Sequence, residues 1–413
     1  MTLKCNILIF SCILLSLTVL SQNNIREKAV RLVQQGDEYM RFGNWEQALL
    51  AYNNAILHDR NYADPYMKRA NLNAKLGRTN EALRDYNKAI SLNPYSEYIY
   101  DRRAKLKMIA MDYKGAINDI NKAITINPKN NELLDHRAED FILIGEYEQA
   151  LYDIDTLIQR DYNLEYVNLK RALVYLLIDD LQNSLLSVDS VLALNDSSSL
   201  AYDLLGIIYL KEKKYQEAID AFKKATTLNP NFAIAYYNMG LAYRYLQKPN
   251  EANKYLNKAI EISHNIPNIY FTRGVIKKEL GDIKGAIDDY SKAISTDKTY
   301  TKALYNRAYS FKLMGNYTDA LNDANTLIEL NPEKAENWNL KGNVQLLFGD
   351  YYEAIESYTT AINIQYDYVE AYYNRGLAYL MTYRPNEGCD DLKKCLDFNY
   401  TAAQKIITNF CRN

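Results

Sequence analysis

This 413-residue sequence predicts an all-α solenoid of eleven 34-residue helix-turn-helix repeats, ended by a closing helix, and three observations predict it. The chain matches itself at a 34-residue period that never slips between residues 29 and 402, the mark of a repeat array. Two positions of the unit carry small residues almost throughout, as closely approaching helices require. Glycine and proline number only 15 and 8, too few for the turns of a many-stranded protein. With 48% hydrophobic and 24% charged residues, the chain can bury a core and is no disordered tail. A formal charge of −2 offers no basic surface for nucleic acid, which is not expected as a partner.

The N-terminus carries Lys4, then an apolar run from Ile7 to Leu20, then polar Gln22-Asn23-Asn24. Residues 1–21 read as a signal peptide, with Val19 and Ser21 small enough to precede a cut near Gln22. The run is short for a membrane span, although retention as an anchor remains open. Ile9-Phe10-Ser11-Cys12 also resembles a bacterial lipobox, so lipid attachment at Cys12 is a third outcome, disfavoured by bulky Phe10. Export to a periplasm or cell envelope, or secretion, is expected; after cleavage no stable membrane span remains. Residues 22–28 lead into the array.

The repeats start at residues 29, 63, 97, 131, 165, 199, 233, 267, 301, 335 and 369. Position 8 of the unit is Gly or Ala in every copy, and position 20 is Ala except at Ser184 and Gly388. Positions 4, 8 and 11 share one helical face and 20, 24 and 27 another, giving a hairpin that turns near position 15, where six copies carry Gly. Repeat 5 departs most, with Ser184, Val188 and Val191 leading into Asn195-Asp196-Ser197-Ser198-Ser199, so the array is expected to be weakest between repeats 5 and 6.

Position 7 is basic in eight copies, which taken alone invites a phosphate-binding reading. Position 23 counters it, because Asp occurs there only where position 7 is Arg. The two lie equally far from the turn, so Arg69 with Asp85, Arg103 with Asp119, Arg137 with Asp153, Arg273 with Asp289, Arg307 with Asp323 and Arg375 with Asp391 are expected as structural ion pairs rather than a ligand ladder. Arg171 and Lys341 face Ser187 and Ser357, and are candidates for reaching a ligand or a neighbouring repeat.

The closing helix, residues 401–413, should run antiparallel to the helix before it, with the turn near Asn399 and Tyr400. That arrangement faces Cys389 with Cys411 and predicts a disulfide, leaving Cys395 buried; three free thiols are the alternative. His58, His136 and His264 lie in distant repeats, and no metal-ligand spacing, phosphate loop or nucleophile elbow occurs. Neither enzymatic activity, metal nor cofactor is expected.

These columns resemble the tetratricopeptide repeat (TPR) family, here of an exported bacterial type, and Gly206, Tyr209, Ala218, Phe222, Ala225 and Pro230 carry the pattern most fully. The resemblance covers residues 29–402 and implies a right-handed superhelix whose first helices line a concave groove for peptides or proteins, with positions 2, 5, 9 and 12 facing inward. Repeats 3 and 4 then offer Asp101, Glu132, Asp135 and Glu139, interrupted by Lys105, while repeats 5 and 6 are mostly apolar. Repeats 7–9 present Tyr237, Arg244, Phe271, Lys278, Lys302, Tyr305, Tyr309 and Lys312, and repeat 11 adds Tyr373. Asn238, Asn306 and Asn374 at position 6 match asparagines that hold peptide backbone in some members. The family's carboxylate clamp needs Lys at position 5, which no repeat has, so a chaperone cofactor is disfavoured. The expected function is a non-enzymatic envelope scaffold for a protein or peptide ligand; an envelope structural or glycan-binding protein and a regulatory subunit of an envelope enzyme are the alternatives.

Overall fold

The computed structural model describes residues 24–411; the proposed signal peptide with Cys5 and Cys12 lies outside them. Among the described residues there are 23 α-helices and no strand. They divide between Asp196 and Ser197 into two compact units, within the stretch where the repeat signature is poorest.

The first unit holds repeats 1–5: α1 (24–41), α2 (Trp45–His58), α3 (Ala63–Lys75), α4 (Thr79–Leu92), α5 (Glu97–Ile109), α6 (Tyr113–Ile126), α7 (Asn131–Ile144), α8 (Tyr147–Gln159), α9 (Leu164–Leu177) and α10 (Leu181–Leu194). The second holds repeats 6–11 and the closing helix: α11 (Ser199–Lys211), α12 (Tyr215–Leu228), α13 (Ala233–Tyr245), α14 (Pro249–Ile262), α15 (Pro267–Glu279), α16 (Ile283–Thr296), α17 (Thr301–Leu313), α18 (Tyr317–Leu330), α19 (Ala335–Phe348), α20 (Tyr351–Ile364), α21 (Val369–Met381), α22 (Pro385–Asp397) and α23 (Ala403–Phe410).

The hairpin forms because one residue turns left-handed. The six position-15 glycines all have positive φ, from Gly77 at 73° to Gly349 at 97°. The other five copies adopt the same conformation with Met111, Asp179, Lys213, Gln247 and Tyr383. Glycine is thus the cheap solution to a turn that every repeat makes regardless. The next residue begins the second helix, and where it is Asp112, Asp282 or Asn316 its side chain accepts a hydrogen bond from a backbone N–H in the first turn.

Each hairpin closes on the small column. Where position 24 carries a ring, it lies across position 8 so closely that a Cβ added at Gly206 would sit 2.4 Å from Phe222, and one at Gly342 2.6 Å from Tyr358. Filling that column should cost about 1–3 kcal/mol by overpacking. At position 20, the other small column, the larger Ser184 of repeat 5 donates its hydroxyl to the carbonyl of Ala172 at position 8, at 2.8 Å.

The arginine column does two things. Arg69 donates from Nε and Nη2 to Asp85 at 2.8 and 2.6 Å, and from Nη1 to Asn53 of the preceding repeat at 2.6 Å. Arg103, Arg137, Arg273, Arg307 and Arg375 repeat the fork toward Asp119, Asp153, Asp289, Asp323 and Asp391. Their third bonds reach Asn87, Asn121, Asn257, Ser291 and Thr359 at position 25 of the repeat before. Arg171 turns to that same position, 3.2 Å from Asp155, and Lys341 lies over the Trp338 ring. Cys389 and Cys411 form a disulfide, and Cys395 is buried and free. Among the described residues no helix is long and apolar enough to cross a membrane.

Candidate functional site

The inner-face residues share a recurrent insertion: in several repeats position 6 reaches position 5 or 9 of the repeat before, as Lys68, His136, Lys170, Asn238, Thr272 and Asn374 do. In the first unit this neutralises the expected acidic stretch. The Lys170 ammonium sits 2.5 Å from Asp135 and 2.8 Å from Glu139. Lys105 donates to His136 Nε2 at 3.0 Å, so the ring is the tautomer that donates from Nδ1 to Asp101 at 2.8 Å. Burial alone would raise the Asp101 carboxyl; the His136 hydrogen bond brings it below its ordinary range. Asp101, Asp135 and Glu139 are therefore engaged within the array, and of the expected acids Glu132 stays exposed to a ligand.

Two carboxyls, the half-buried Asp140 and the buried Asp203, escape this pairing. Asp140 occupies a column filled elsewhere by Leu72, Leu106, Val174 and Ile208, and burial pushes it up to about 6. Asp203 is also pushed up to about 6 by burial, against the Asn238 amide that donates to it at 3.0 Å.

In the second unit several groove candidates are engaged internally. Asn238 is buried against Asp203, and Asn374 donates to Asn343 at 2.9 Å. Asn306 accepts from Lys278 at 2.9 Å and donates to the Lys302 carbonyl at 3.0 Å. Arg244 is paired with Glu279 at 2.6 Å. Phe271 packs with Tyr290 and Tyr300, Tyr237 accepts a long bond from Thr272, and Tyr373 meets Tyr400 edge-on.

The residues left facing outward gather on α15 and α17. Tyr309 is 37% exposed, with the Lys312 ammonium 4.3 Å and the Lys278 ammonium 5.4 Å from its ring centre. Burial lowers both ammonium groups from their ordinary value, and no carboxylate pairs with either among the described residues. One helical turn back, Tyr305 and Asn306 line a cavity of about 280 Å³ with Thr301, Lys302, Leu327, Asn331, Lys334, Glu336 and Asn337.

Tetratricopeptide repeat profiles match residues 63–96, 233–266, 267–300 and 302–334, and a further TPR profile matches 36–77, 206–246 and 348–382. The chain belongs to the tetratricopeptide repeat family. Among solved structures, this TPR chain is similar to a tetratricopeptide repeat protein from Parabacteroides merdae, at 18% identity and TM-score 0.42 over 60% of this chain and 99% of that one. YrrB, described as a TPR protein with an unusual peptide-binding site, shares 21% identity at TM-score 0.41 over 45% of this chain and 95% of its own. MamA from Desulfovibrio magneticus shares 18% at TM-score 0.39, over 41% and 96%. No curated protein sequence matches.

The position-6 wedge and the position-25 acceptor were missed in the sequence, although each leaves a trace. Asp101 and His136 are 35 residues apart, as are Asp135 and Lys170 and Asp203 and Asn238, and Asn recurs 16 residues before Arg69, Arg103, Arg137 and Arg273.

Proposed function

We propose that this TPR chain is a non-enzymatic scaffold of a bacterial cell envelope that holds an extended segment of a protein partner along the inner faces of repeats 7–9. One observation carries the reading: Lys278, Lys302, Tyr305, Tyr309 and Lys312 are grouped on α15 and α17 and, among the described residues, none forms a salt bridge or hydrogen bond with a carboxylate, unlike Lys68 and Lys170 of repeats 2 and 5. Tyr and cationic side chains in a half-buried row suit the anchoring of a peptide chain, because aromatic rings offer contact area at low entropic cost. The apolar N-terminal run and the Cys389–Cys411 disulfide support an oxidising, exported setting.

The test is chemical crosslinking in the envelope fraction of the source organism, followed by hydrogen exchange of the purified complex. A protein partner that protects α15 and α17 is expected. Recovery of polysaccharide alone, or protection confined to the second helices of the repeats, would sink the reading.

A further inference from the structure

The inner face of α17 has a definite order. Lys302, Tyr305, Tyr309 and Lys312 follow at i, i+3, i+7 and i+10, a spacing that keeps them on one side of a helix. The contacts agree: Lys302 and Tyr305 line one cavity, and Lys312 lies over the Tyr309 ring. The face therefore reads cation, ring, ring, cation, and Lys278 from α15 joins the second cation at Tyr309.

The cations lack what other inner-face cations have. Lys68 is 2.9 Å from Asp37, Lys170 has two carboxylates and Arg244 has Glu279. Lys278 has the neutral Asn306 amide and the Tyr309 ring, and Lys312 has the face of that same ring. Both are half-buried and held below the ordinary ammonium value by burial, and neither forms a salt bridge among the described residues; the Glu279 carboxylate, which favours the Lys278 charge from a distance, is bonded to Arg244. At the other end Lys302 and Lys334 line the cavity with a single acid, Glu336.

Geometry then limits the occupant. Ten residues of helix place the two ends of the row about 15 Å apart. An extended chain rises about 3.3 Å per residue and alternates its side chains, so residues i, i+2 and i+4 share a face and span about 13 Å, with side-chain length covering the rest. We propose that this row binds an extended partner segment carrying two acidic side chains four residues apart and an apolar side chain midway. One carboxylate meets Lys278 and Lys312, the apolar group lies between Tyr305 and Tyr309, and the other carboxylate enters the cavity at Lys302 and Lys334. This rests on the reading of repeats 7–9 as a peptide site and adds the chemistry of the peptide.

The test uses the full chain and fluorescent peptides with the core Glu-Ala-Phe-Ala-Glu, its amide counterpart Gln-Ala-Phe-Ala-Gln, and the clustered-acid isomer Glu-Glu-Ala-Phe-Ala, read by anisotropy. The spaced acidic peptide should bind at least about tenfold more tightly than either control, as expected for a hydrogen-bonded charge pair. The Lys278→Gln/Lys312→Gln variant, with its helical circular dichroism unchanged, should lose that margin and keep the affinity for the amide peptide. Equal binding of the three peptides, a margin that survives the double substitution, or no binding by any of them overturns the proposal. Random-peptide display on the same chain separates the two readings. Binders lost on Tyr309→Ser but lacking the acidic pair leave the peptide site standing without its acidic preference, and the absence of any binder lost on Tyr309→Ser removes both.

Discussion

Tyr290 presents a test in which one chemical change has opposite effects at equivalent places. The position-24 tyrosines cross a small residue at position 8, and in three repeats the hydroxyl emerges beside a polar residue at position 9: Tyr52 donates to Asp37 at 2.8 Å, Tyr86 to Asn71 at 2.6 Å and Tyr358 to Asn343 at 2.9 Å. In repeat 8 that position is Val275, and the fully buried Tyr290 hydroxyl has no hydrogen-bond partner. A made hydrogen bond contributes about 0.5–1.5 kcal/mol net, whereas a buried unsatisfied polar group costs about 1–3 kcal/mol. Tyr358→Phe should therefore destabilise its repeat by about 1 kcal/mol, and Tyr290→Phe should stabilise its own by about the same. Val275→Asn, which supplies the missing acceptor, should do so only while Tyr290 keeps its hydroxyl. Because long repeat arrays need not unfold in one step, the assay is native-state hydrogen exchange of amides in α16 and α20. Equal losses for both Tyr→Phe changes would refute the reasoning.

Four further outcomes follow from the same geometry. Tyr383→Gly and Met111→Gly should each raise stability by about 1 kcal/mol in urea unfolding, since both positions are left-handed and the side chains are exposed. Arg137→Met strands Asp153, whose side chain is 0% exposed, and should cost about 3 kcal/mol, most of it recovered by Arg137→Met/Asp153→Leu. Asp140 and Asp203 bind a proton more tightly folded, at about 6, than at their ordinary 3.8, so their contribution is complete below about pH 4 and is lost as pH rises through 6. Asp140→Leu/Asp203→Asn should flatten urea midpoints between pH 4 and 6, a window above that of Asp101 and Glu139, whose carboxyls are lowered. Reduction of Cys389–Cys411, which spans 22 residues, should remove on the order of 3 kcal/mol and speed amide exchange in α23.

What was legible in the sequence is whatever lies within one hairpin. Arg69 and Asp85 are visible as a pair because both are measured from the same turn, and Gly36 faces Tyr52 for the same reason. What was not legible depends on how one hairpin stacks on the next. Asn53 is an unremarked polar residue until Arg69 of the following repeat is placed against it, and Lys170 reads as an open surface cation until it is seated between Asp135 and Glu139. The groove candidates divided on the same ground: Arg244 and Asn238 are engaged by neighbouring repeats, while Lys312 meets only the ring of its own helix. The five turns without glycine were legible only through the 34-residue period, because local preference there yields to the hairpin that the two helices impose.

The arginine fork has a mechanical consequence. By holding its own Asp and the position-25 residue of the previous repeat, it rivets consecutive hairpins, through Asn257, Ser291 and Thr359 in the second unit. Met239 leaves repeat 7 without a rivet and Lys341 gives repeat 10 an ammonium where its neighbours have a guanidinium fork. Under tension this unit would yield in unequal steps, with repeats 7 and 10 parting first and repeats 8, 9 and 11 holding to higher force, so the load it bears is graded along its length.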